Sequence, residues 1–214
     1  MRFQKIAVLT SKSSWFLPYA KKFVKILKLN NISARLFLDH KRISKNYEVV
    51  FILNYYKIIK QWFLLKHKHN IVVHESYLPK GRGWAPLFWQ ILDGKNKIPI
   101  SLFEATAGID KGDIYLRDWI KLNGSELHDE IRQKQAIKTI ELCLRFIKKY
   151  NKLRPKIQKG KPSYYKKRSP VDSELNINKT LKSQFNLLRI VNNNEFPAFF
   201  YQKGYKYILS IRKE

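Results

Sequence analysis

The sequence feature that most constrains the fold is a short β-branched run, Ile71-Val72-Val73, that leads directly into His74. A run of this kind is typical of a strand buried on both faces of a parallel sheet. A glycine-rich turn at residues 108–113 follows a second apolar segment and carries Asp110. Because open α/β sheets bind ligands beyond the carboxyl ends of their strands, we expect His74 and Asp110 to meet above one sheet edge.

Apolar segments with the spacing of strands and of helices alternate along the first 150 residues. Strands are predicted at 5–10, 33–38, 49–53, 71–73, 98–103 and 113–120. Helices are predicted at 15–29, from the turn at 54–57 to about 66, at 85–92 and at 125–150. Ser125 is the predicted N-cap of the last helix, because Ser accepts hydrogen bonds from free backbone amides there.

The residues beyond 150 have a different character. Prolines and a glycine stand among lysines without any periodicity, which indicates a linker at 151–165. The elements predicted after it are a helix at 178–189 and two hairpin strands at 197–201 and 205–211. The sequence therefore predicts an α/β chain with a Rossmann-like, mostly parallel first domain at 1–150, a linker, and a helix-plus-hairpin extension at 166–214.

The chain is strongly basic, with 43 Lys and Arg against 16 Asp and Glu and a formal net charge of +27. Such a charge is typical of proteins that bind nucleic acid or anionic membranes. The cations are spread along the whole chain, which favours compositional drift over nucleic-acid binding, although a positive cleft would still attract a diphosphate. A lone Cys143 and the lack of a 20-residue apolar run predict a cytoplasmic protein with no membrane partner.

An ordered set of motifs surrounds His74 and Asp110. The residues His74-x-Ser76-x-Leu78-Pro79, Arg82-Gly83-x-x-Pro86, Gly94 and Gly108-x-Asp110-x-Gly112-Asp113-Ile114 resemble the 10-formyltetrahydrofolate-dependent formyltransferases. The segment Lys80-Gly81-Arg82-Gly83-Trp84-Ala85-Pro86 is similar to bacterial nucleotide-sugar N-formyltransferases of pseudaminic-acid and O-antigen pathways. The match covers about residues 48–120, with a looser one from Arg168 onward. It implies a Rossmann-like formyltransferase fold and N10-formyltetrahydrofolate as cofactor.

The resemblance also assigns roles to particular residues. His74 would polarise the formyl oxygen, and Asp110 would orient His74 and help to move protons, as a carboxylate can for an imidazole. The residues implied to contact the folate are Asn54, Tyr55, Tyr56, Ile58, Gly108 and Ile109. Those implied to contact the acceptor are Ser76, Lys80, Gly81, Arg82, Gly83 and Arg168. Within that set, Lys80 and Arg82 are suited to a diphosphate, Arg82 through a bidentate contact.

The sequence departs from the family pattern at two positions. The family has an asparagine two residues before the histidine, where this chain has Val72. Asn70 lies four residues before His74 and would share its face of an extended strand at a distance, whereas Asn54 is another candidate for the missing amide. Glu75 replaces the usual proline. One interpretation of these changes is that the enzyme is slow or has an altered activity.

These observations predict an enzyme that moves a formyl group from N10-formyltetrahydrofolate to the amine of a nucleotide-linked 4-amino-4,6-dideoxy sugar for surface glycan synthesis. Methionyl-tRNA and glycinamide ribonucleotide are alternative acceptors. The lack of room for a C-terminal barrel argues against the first, and the glycine-free turn at 11–14 against the second. A basic nucleic-acid-binding module with a decayed site is a further alternative. No metal is expected, because His67 and His69 lack a third ligand, and a homodimer is left open.

Overall fold

A six-stranded mixed sheet forms the centre of the protein in the computed structural model, which describes residues 3–214. In chain order the elements are β1 (Lys5–Leu9), α1 (Leu17–Leu29), β2 (Ser33–Phe37), β3 (Val49–Ile52), α2 (Gln61–Leu64), β4 (His69–His74), β5 (Arg82–Gly83), α3 (Pro86–Leu92), β6 (Lys97–Glu104), β7 (Ile114–Lys121), α4 (His128–Lys149), β8 (Tyr164–Tyr165), α5 (Phe185–Ile190), β9 (Ala198–Gln202) and β10 (Tyr205–Leu209). The sheet order is β2-β1-β3-β4-β6-β7. Strands β2, β1, β3 and β4 are mutually parallel, which confirms the predicted α/β fold.

The last two strands of this sheet run the other way, since β6 is antiparallel to both β4 and β7. Ser101 of β6 lies opposite His74, and Glu104 lies opposite Ile71. The strand before Asp110 therefore ends at the amino-terminal part of β4. The prediction that both residues leave strands at the same sheet edge is wrong. They meet because the connection 105–113 turns back towards His74.

Both faces of the parallel strands are covered, which explains why their sequences are apolar at successive positions. Helices α1, α3 and α4 pack on one face around Val8, Phe51 and Ile71. On the other face Leu9, Ile52 and α2 form a second cluster, and Val72 packs at its border. Strand residues alternate between the two clusters, as their period of two requires.

Two helices begin later than the sequence predicts. The segment after β3 stays irregular until the single turn of α2, and Asn54 at its start is left-handed with φ 52°. Helix α4 starts at His128, because the Glu130 carboxylate accepts a hydrogen bond from the Leu127 amide at 2.9 Å. The prediction of Ser125 as N-cap is wrong, because Leu127 caps the helix and Ser125 lies in the turn before it, where its amide and hydroxyl donate to Asn123 Oδ1.

The C-terminal helix also starts later, at Phe185 instead of residue 178. Asn176 Oδ1 accepts from the Asn178 amide, and Thr180 Oγ1 accepts from the Ser183 amide. Such local side-chain bonds compete with helical backbone pairing. The predicted hairpin is present as β9 and β10, whose two-residue turn has φ 48° at Lys203 and 81° at Gly204, as a type I′ turn requires.

A buried ion pair attaches this C-terminal part to the catalytic part. Arg189 of α5 is 1% exposed, and its Nη2 lies 3.2 Å from Glu126 Oε2. Its Nε donates to the Glu126 carbonyl at 3.1 Å, and its Nη1 donates to Asn96 Oδ1 at 3.0 Å. In residues 3–214 no helix is both long and apolar enough to cross a bilayer.

Candidate active site

His74 ends β4 and is almost fully buried beside the 78–83 loop. Its Nε2 lies 2.8 Å from the Gly81 carbonyl oxygen and 3.6 Å from Asp110 Oδ2. Because a carbonyl oxygen can only accept, Nε2 carries the proton and Nδ1 keeps its lone pair. Within the described chain Nδ1 has no hydrogen-bond partner, so it is the ring atom that a substrate can engage.

Asp110 is placed by backbone contacts on both sides. Its Oδ2 accepts a hydrogen bond from the Gly83 amide at 2.9 Å, and its own backbone is left-handed with φ 51°, which Asp tolerates better than most residues. Gly83 itself has φ 96°, and a Cβ there would lie 2.6 Å from the Tyr165 carbonyl oxygen. At Gly112 a Cβ would lie 1.6 Å from the Glu104 carbonyl oxygen, so the turn that returns Asp110 to His74 requires glycine.

Gln158 connects the two loops of this site, and no sequence motif indicated this role. Its Nε2 donates to the carbonyl oxygens of Asp110 at 2.7 Å and Gly112 at 2.8 Å. Its Oε1 accepts from Arg82 Nη2 at 2.7 Å. One amide therefore fixes the Asp110 turn to the 78–83 loop, and Gln158 lies 46 to 48 residues after the two carbonyls in sequence.

The rest of the predicted linker is also part of the site. Strand β8 pairs with β5, and the Ser163 carbonyl accepts from the Arg82 amide at 2.9 Å. Ser163 Oγ accepts from the Gly81 amide at 2.9 Å, and the Tyr165 carbonyl accepts from the Trp84 amide at 3.1 Å. The backbone whose carbonyl holds His74 is thus held in turn by residues 163–165.

The residues predicted for the acceptor separate into two groups. Lys80 is exposed and, with Ser76 and Gly81, lines a cavity of about 360 Å³. The other residues around this cavity are Tyr77, Gln90, Lys95, Lys97, Pro99, Trp119, Ser163 and Tyr165. Ser76 Oγ is buried and has no partner in the described chain. Arg82 and Arg168 belong to the second group, in which the side chains are directed elsewhere.

The prediction that Arg82 presents its guanidinium to a diphosphate requires correction. Arg82 is 8% exposed, and its guanidinium contacts Gln158 and, at 3.4 Å, the Tyr164 hydroxyl. It stabilises the loop instead. Arg168 lies outside the cavity by the 78–83 loop, and its Nη2 donates to the Asp172 carbonyl and to Ser173 Oγ, both at 3.2 Å.

The residues predicted for the folate lie on two loops. Tyr55 bonds the His40 ring through its hydroxyl at 2.8 Å, and the Tyr56 amide donates to Ser11 Oγ at 2.8 Å. Ile58 and Ile109 are 89% and 60% exposed, so both loops present apolar surface to solvent. Gly108 precedes Ile109 with φ 99°.

Neither asparagine near Val72 directly replaces the missing family amide. Asn70 Nδ2 donates to the Leu64 carbonyl at 2.8 Å, so Asn70 is not available. Asn54 Oδ1 accepts from Ser14 Oγ at 3.1 Å, but in the described residues its Nδ2 has no acceptor. Val72 itself packs against Leu78 and Phe103. The only one of these amide donors left for a ligand is therefore that of Asn54.

Comparison with known proteins identifies the family. A family described as formyl transferase matches residues 5–147, which is two thirds of the chain. The chain therefore belongs to the formyl transferase family, an enzyme family whose formyl donor is N10-formyltetrahydrofolate. A methionyl-tRNA formyltransferase of Thermodesulfovibrio yellowstonii is 30% identical over 149 residues, which are 68% of this chain and 48% of that protein. The chain spans half or less of the length of such curated relatives.

Three solved structures share the fold. A methionyl-tRNA formyltransferase from Clostridium thermocellum has a TM-score of 0.81 and 22% identity, covering 99% of this chain and 93% of that one. A sugar N-formyltransferase from a Shewanella species has a TM-score of 0.73 and 16% identity, covering 99% and 98%. The formyltransferase PseJ from Anoxybacillus kamchatkensis, in complex with UDP-4,6-dideoxy-4-formamido-L-AltNAc and tetrahydrofolate, has a TM-score of 0.55 and 20% identity, covering 76% and 85%.

Proposed function

We propose that this protein transfers a formyl group from N10-formyltetrahydrofolate to a primary amine, with His74 and Asp110 as its catalytic pair. The observation that carries the proposal is the state of the His74 ring: Nε2 is fixed by the Gly81 carbonyl and faces Asp110, while Nδ1 is free. A ring held in this way is suited to take a proton at one defined atom.

The loops at 54–58 and 105–110 fit a folate. Ile58, Tyr56 and Ile109 expose apolar surface that a flat ring system can contact, and Val72 and Ala105 both pack on the second apolar cluster. The backbone amides of 106–109 make no hydrogen bond within the described residues. They are available to the polar edge of a pterin, as expected for a site that holds the cofactor through main-chain groups.

In the proposed mechanism the cofactor supplies the formyl group, and this chain supplies proton transfer and orientation. His74 Nδ1 would take the proton that the attacking amine loses, and the imidazolium would return that proton to N10 of the departing tetrahydrofolate, so that the bond between the formyl carbon and N10 can break. Asp110 stabilises the positive charge on that ring from 3.6 Å. Asn54 Nδ2 supplies the amide donor that Val72 does not.

Gln158 is expected to be a positioning residue in this mechanism. Its replacement by alanine removes two hydrogen bonds to the Asp110 turn and leaves the buried Arg82 without its strongest acceptor. We expect kcat to fall about 10- to 100-fold, because displacement by about 1 Å has such effects. Steady-state kinetics at saturating cofactor would measure the change, with Gln202→Ala on the exposed end of β9 as the control. Equal kcat in both variants would contradict this role.

For the acceptor we propose the 4-amine of a nucleotide-linked 4-amino-4,6-dideoxy sugar, whose product serves surface glycan synthesis. The motif from Lys80 to Pro86 supports this acceptor, and so does the cationic and aromatic cavity beside the 78–83 loop. Three lysines, Lys80, Lys95 and Lys97, line that cavity together with Trp119. The positive charge of these lysines attracts an anionic acceptor such as a sugar nucleotide.

Methionyl-tRNA is the second candidate acceptor, because the curated relatives at 30% identity bear that name. Formylation of its methionyl amine would use the same catalytic pair and the same cofactor. The two candidates differ only in what lies beyond the amine, so they require a direct comparison.

The decisive experiment offers the purified protein N10-formyltetrahydrofolate with each acceptor in parallel. UDP- and dTDP-linked 4-amino-4,6-dideoxy sugars would be examined for a formyl mass gain, and methionyl-tRNA for formylmethionine release. We expect formylation of one amino sugar. Formylation of methionyl-tRNA alone would show that methionyl-tRNA, and not the amino sugar, is the acceptor. The absence of both activities in a protein that binds tetrahydrofolate would refute formyl transfer to either.

A further inference from the structure

Two arginines, Arg132 and Arg168, lie near one another on the helical face of the sheet, apart from the catalytic pair. Arg132 projects from the second turn of α4, and its guanidinium carbon lies 4.3 Å from the ring centre of Trp15 and 4.2 Å from that of Phe88. Arg168 approaches the same Phe88 ring, with its guanidinium carbon 5.9 Å from the centroid. The two guanidinium carbons are thus within about 10 Å of each other, where like charges still repel.

Carboxylates act on this pair only from a distance, Glu75 and Glu195 on Arg132 and Asp172 on Arg168. In the described part of the chain neither guanidinium has an acidic oxygen within 4 Å. Arg132 Nη1 donates to a neutral acceptor, Gln135 Oε1, at 2.9 Å. Burial, together with the neighbouring Arg168, lowers the pKa of Arg132 to about 10. Two neighbouring arginines without a directly paired carboxylate are a costly arrangement unless an anion completes it.

Unused hydrogen-bond donors accompany the two charges. The Nε atoms of Arg132 and Arg168 and the indole Nε1 of Trp15 are buried and have no acceptor among residues 3–214. Arg132 Nη2 also makes no hydrogen bond to the described protein, and it is not enclosed. The cluster therefore combines two positive charges with an open donor, Arg132 Nη2, that a bound anion can satisfy.

The cluster lies close to the catalytic histidine. Glu75 follows His74 directly and is one of the acids that act on Arg132 through space. Tyr56, whose loop is assigned to the folate, lies close enough to Arg132 for the arginine charge to act on its hydroxyl, and its amide donates to Ser11 Oγ at 2.8 Å. An acceptor whose amine lies at His74 Nδ1 can thus extend along the carboxyl ends of β4 and β1 towards Arg132.

We infer that Arg132 and Arg168, with Trp15 packed against Arg132, bind the diphosphate of the nucleotide-linked acceptor, in place of the interior Arg82. The inference rests on the proposed sugar-nucleotide function. Arg132 contacts phosphate oxygens through Nη2, and Arg168 adds a second positive charge nearby. The stacked Trp15 and Phe88 rings hold the Arg132 guanidinium flat, which reduces the ordering that a bidentate contact needs.

The test is isothermal titration calorimetry of the whole chain with UDP, dTDP and inorganic pyrophosphate. For Arg132→Gln we expect the Kd of the better nucleotide to rise about 10- to 100-fold, as for the loss of a charged hydrogen bond. Arg132→Lys keeps the charge without the fork and should give a smaller rise, as should Trp15→Phe. Arg154→Gln is the matched control, because this exposed arginine donates only to backbone carbonyls.

Binding of tetrahydrofolate, measured in parallel, shows that each variant is folded. Equal Kd values for Arg132→Gln and Arg154→Gln would overturn the inference. So would a wild-type protein that binds tetrahydrofolate and formylates an amine but binds neither nucleotide, an outcome that leaves formyl transfer itself intact. If Arg132→Gln fails to bind tetrahydrofolate, the comparison of Arg132→Lys and Trp15→Phe with Arg154→Gln decides in the same way.

Discussion

Replacement of His74 by glutamine is expected to lower kcat for formyl transfer by about 10²- to 10⁴-fold, the usual contribution of one acid–base group. Glutamine keeps an N–H that can donate to the Gly81 carbonyl, so the loop should stay in place. It has no group that titrates near neutral pH, and proton transfer from the amine is lost. Tetrahydrofolate affinity should be nearly unchanged, because His74 Nδ1 faces the reaction and not the folate loops.

Asp110→Asn is expected to lower kcat by a comparable factor, because Asp110 acts through His74. An asparagine Oδ1 still accepts from the Gly83 amide, but the charge that stabilises an imidazolium 3.6 Å away is gone. Asp93→Asn is the control, since that exposed carboxylate contacts only Lys95 at 3.9 Å. Single-turnover rates with saturating cofactor would separate chemistry from binding. Wild-type rates in either catalytic variant would remove that residue from the mechanism.

The second large effect concerns stability. Glu126→Gln is expected to reduce the free energy of unfolding by about 3–5 kcal/mol, the usual result of breaking a buried pair. The variant leaves the charge of Arg189, which is 1% exposed, without its partner. Urea denaturation at neutral pH would measure the loss. Glu141→Gln is the matched control, because that carboxylate is half exposed and pairs on the surface with Lys138.

The same pair predicts a pH dependence. Burial alone would raise the pKa of Glu126, but hydrogen bonds from Lys134 and from the amides of Asn123 and Gly124 outweigh it and lower the pKa to about 2. A depressed pKa contributes stability above the unfolded value and loses it as pH falls towards the folded value. The difference between wild type and Glu126→Gln should therefore shrink from about pH 4.5 down to about 2. A difference that stays constant over this range would contradict the assignment.

The sequence predicted those parts of the fold that depend on local pattern. The apolar runs of β1 and β3 show that both faces are covered, and the motif around His74 shows where β4 ends. The direction of β6 could not be predicted, because an apolar strand reads alike whether its neighbour is parallel or antiparallel. His74 and Asp110 do meet, but the geometric reason from which their meeting was predicted, a shared sheet edge, was wrong.

Contacts of long sequence separation were the other limit. Gln158 carries no periodic or motif signal, because its role consists of three hydrogen bonds to residues 46 to 76 positions earlier. Arg82 was misassigned for the same reason, since only the folded chain shows that its guanidinium is enclosed. Ser125 does not cap the helix, because it belongs to a local turn in which its amide and hydroxyl donate to Asn123, two residues away.

The contacts of Gln158 and Ser163 also determine when the site can form during synthesis. When the ribosome has translated the first 150 residues, His74, Asp110 and the loop between them are already part of the nascent chain. The side chains that hold the Asp110 turn and the Gly81 amide are translated only afterwards. A nascent chain can therefore fold its sheet early and still have no catalytic activity. Activity should begin only when residues 158–165 have left the exit tunnel.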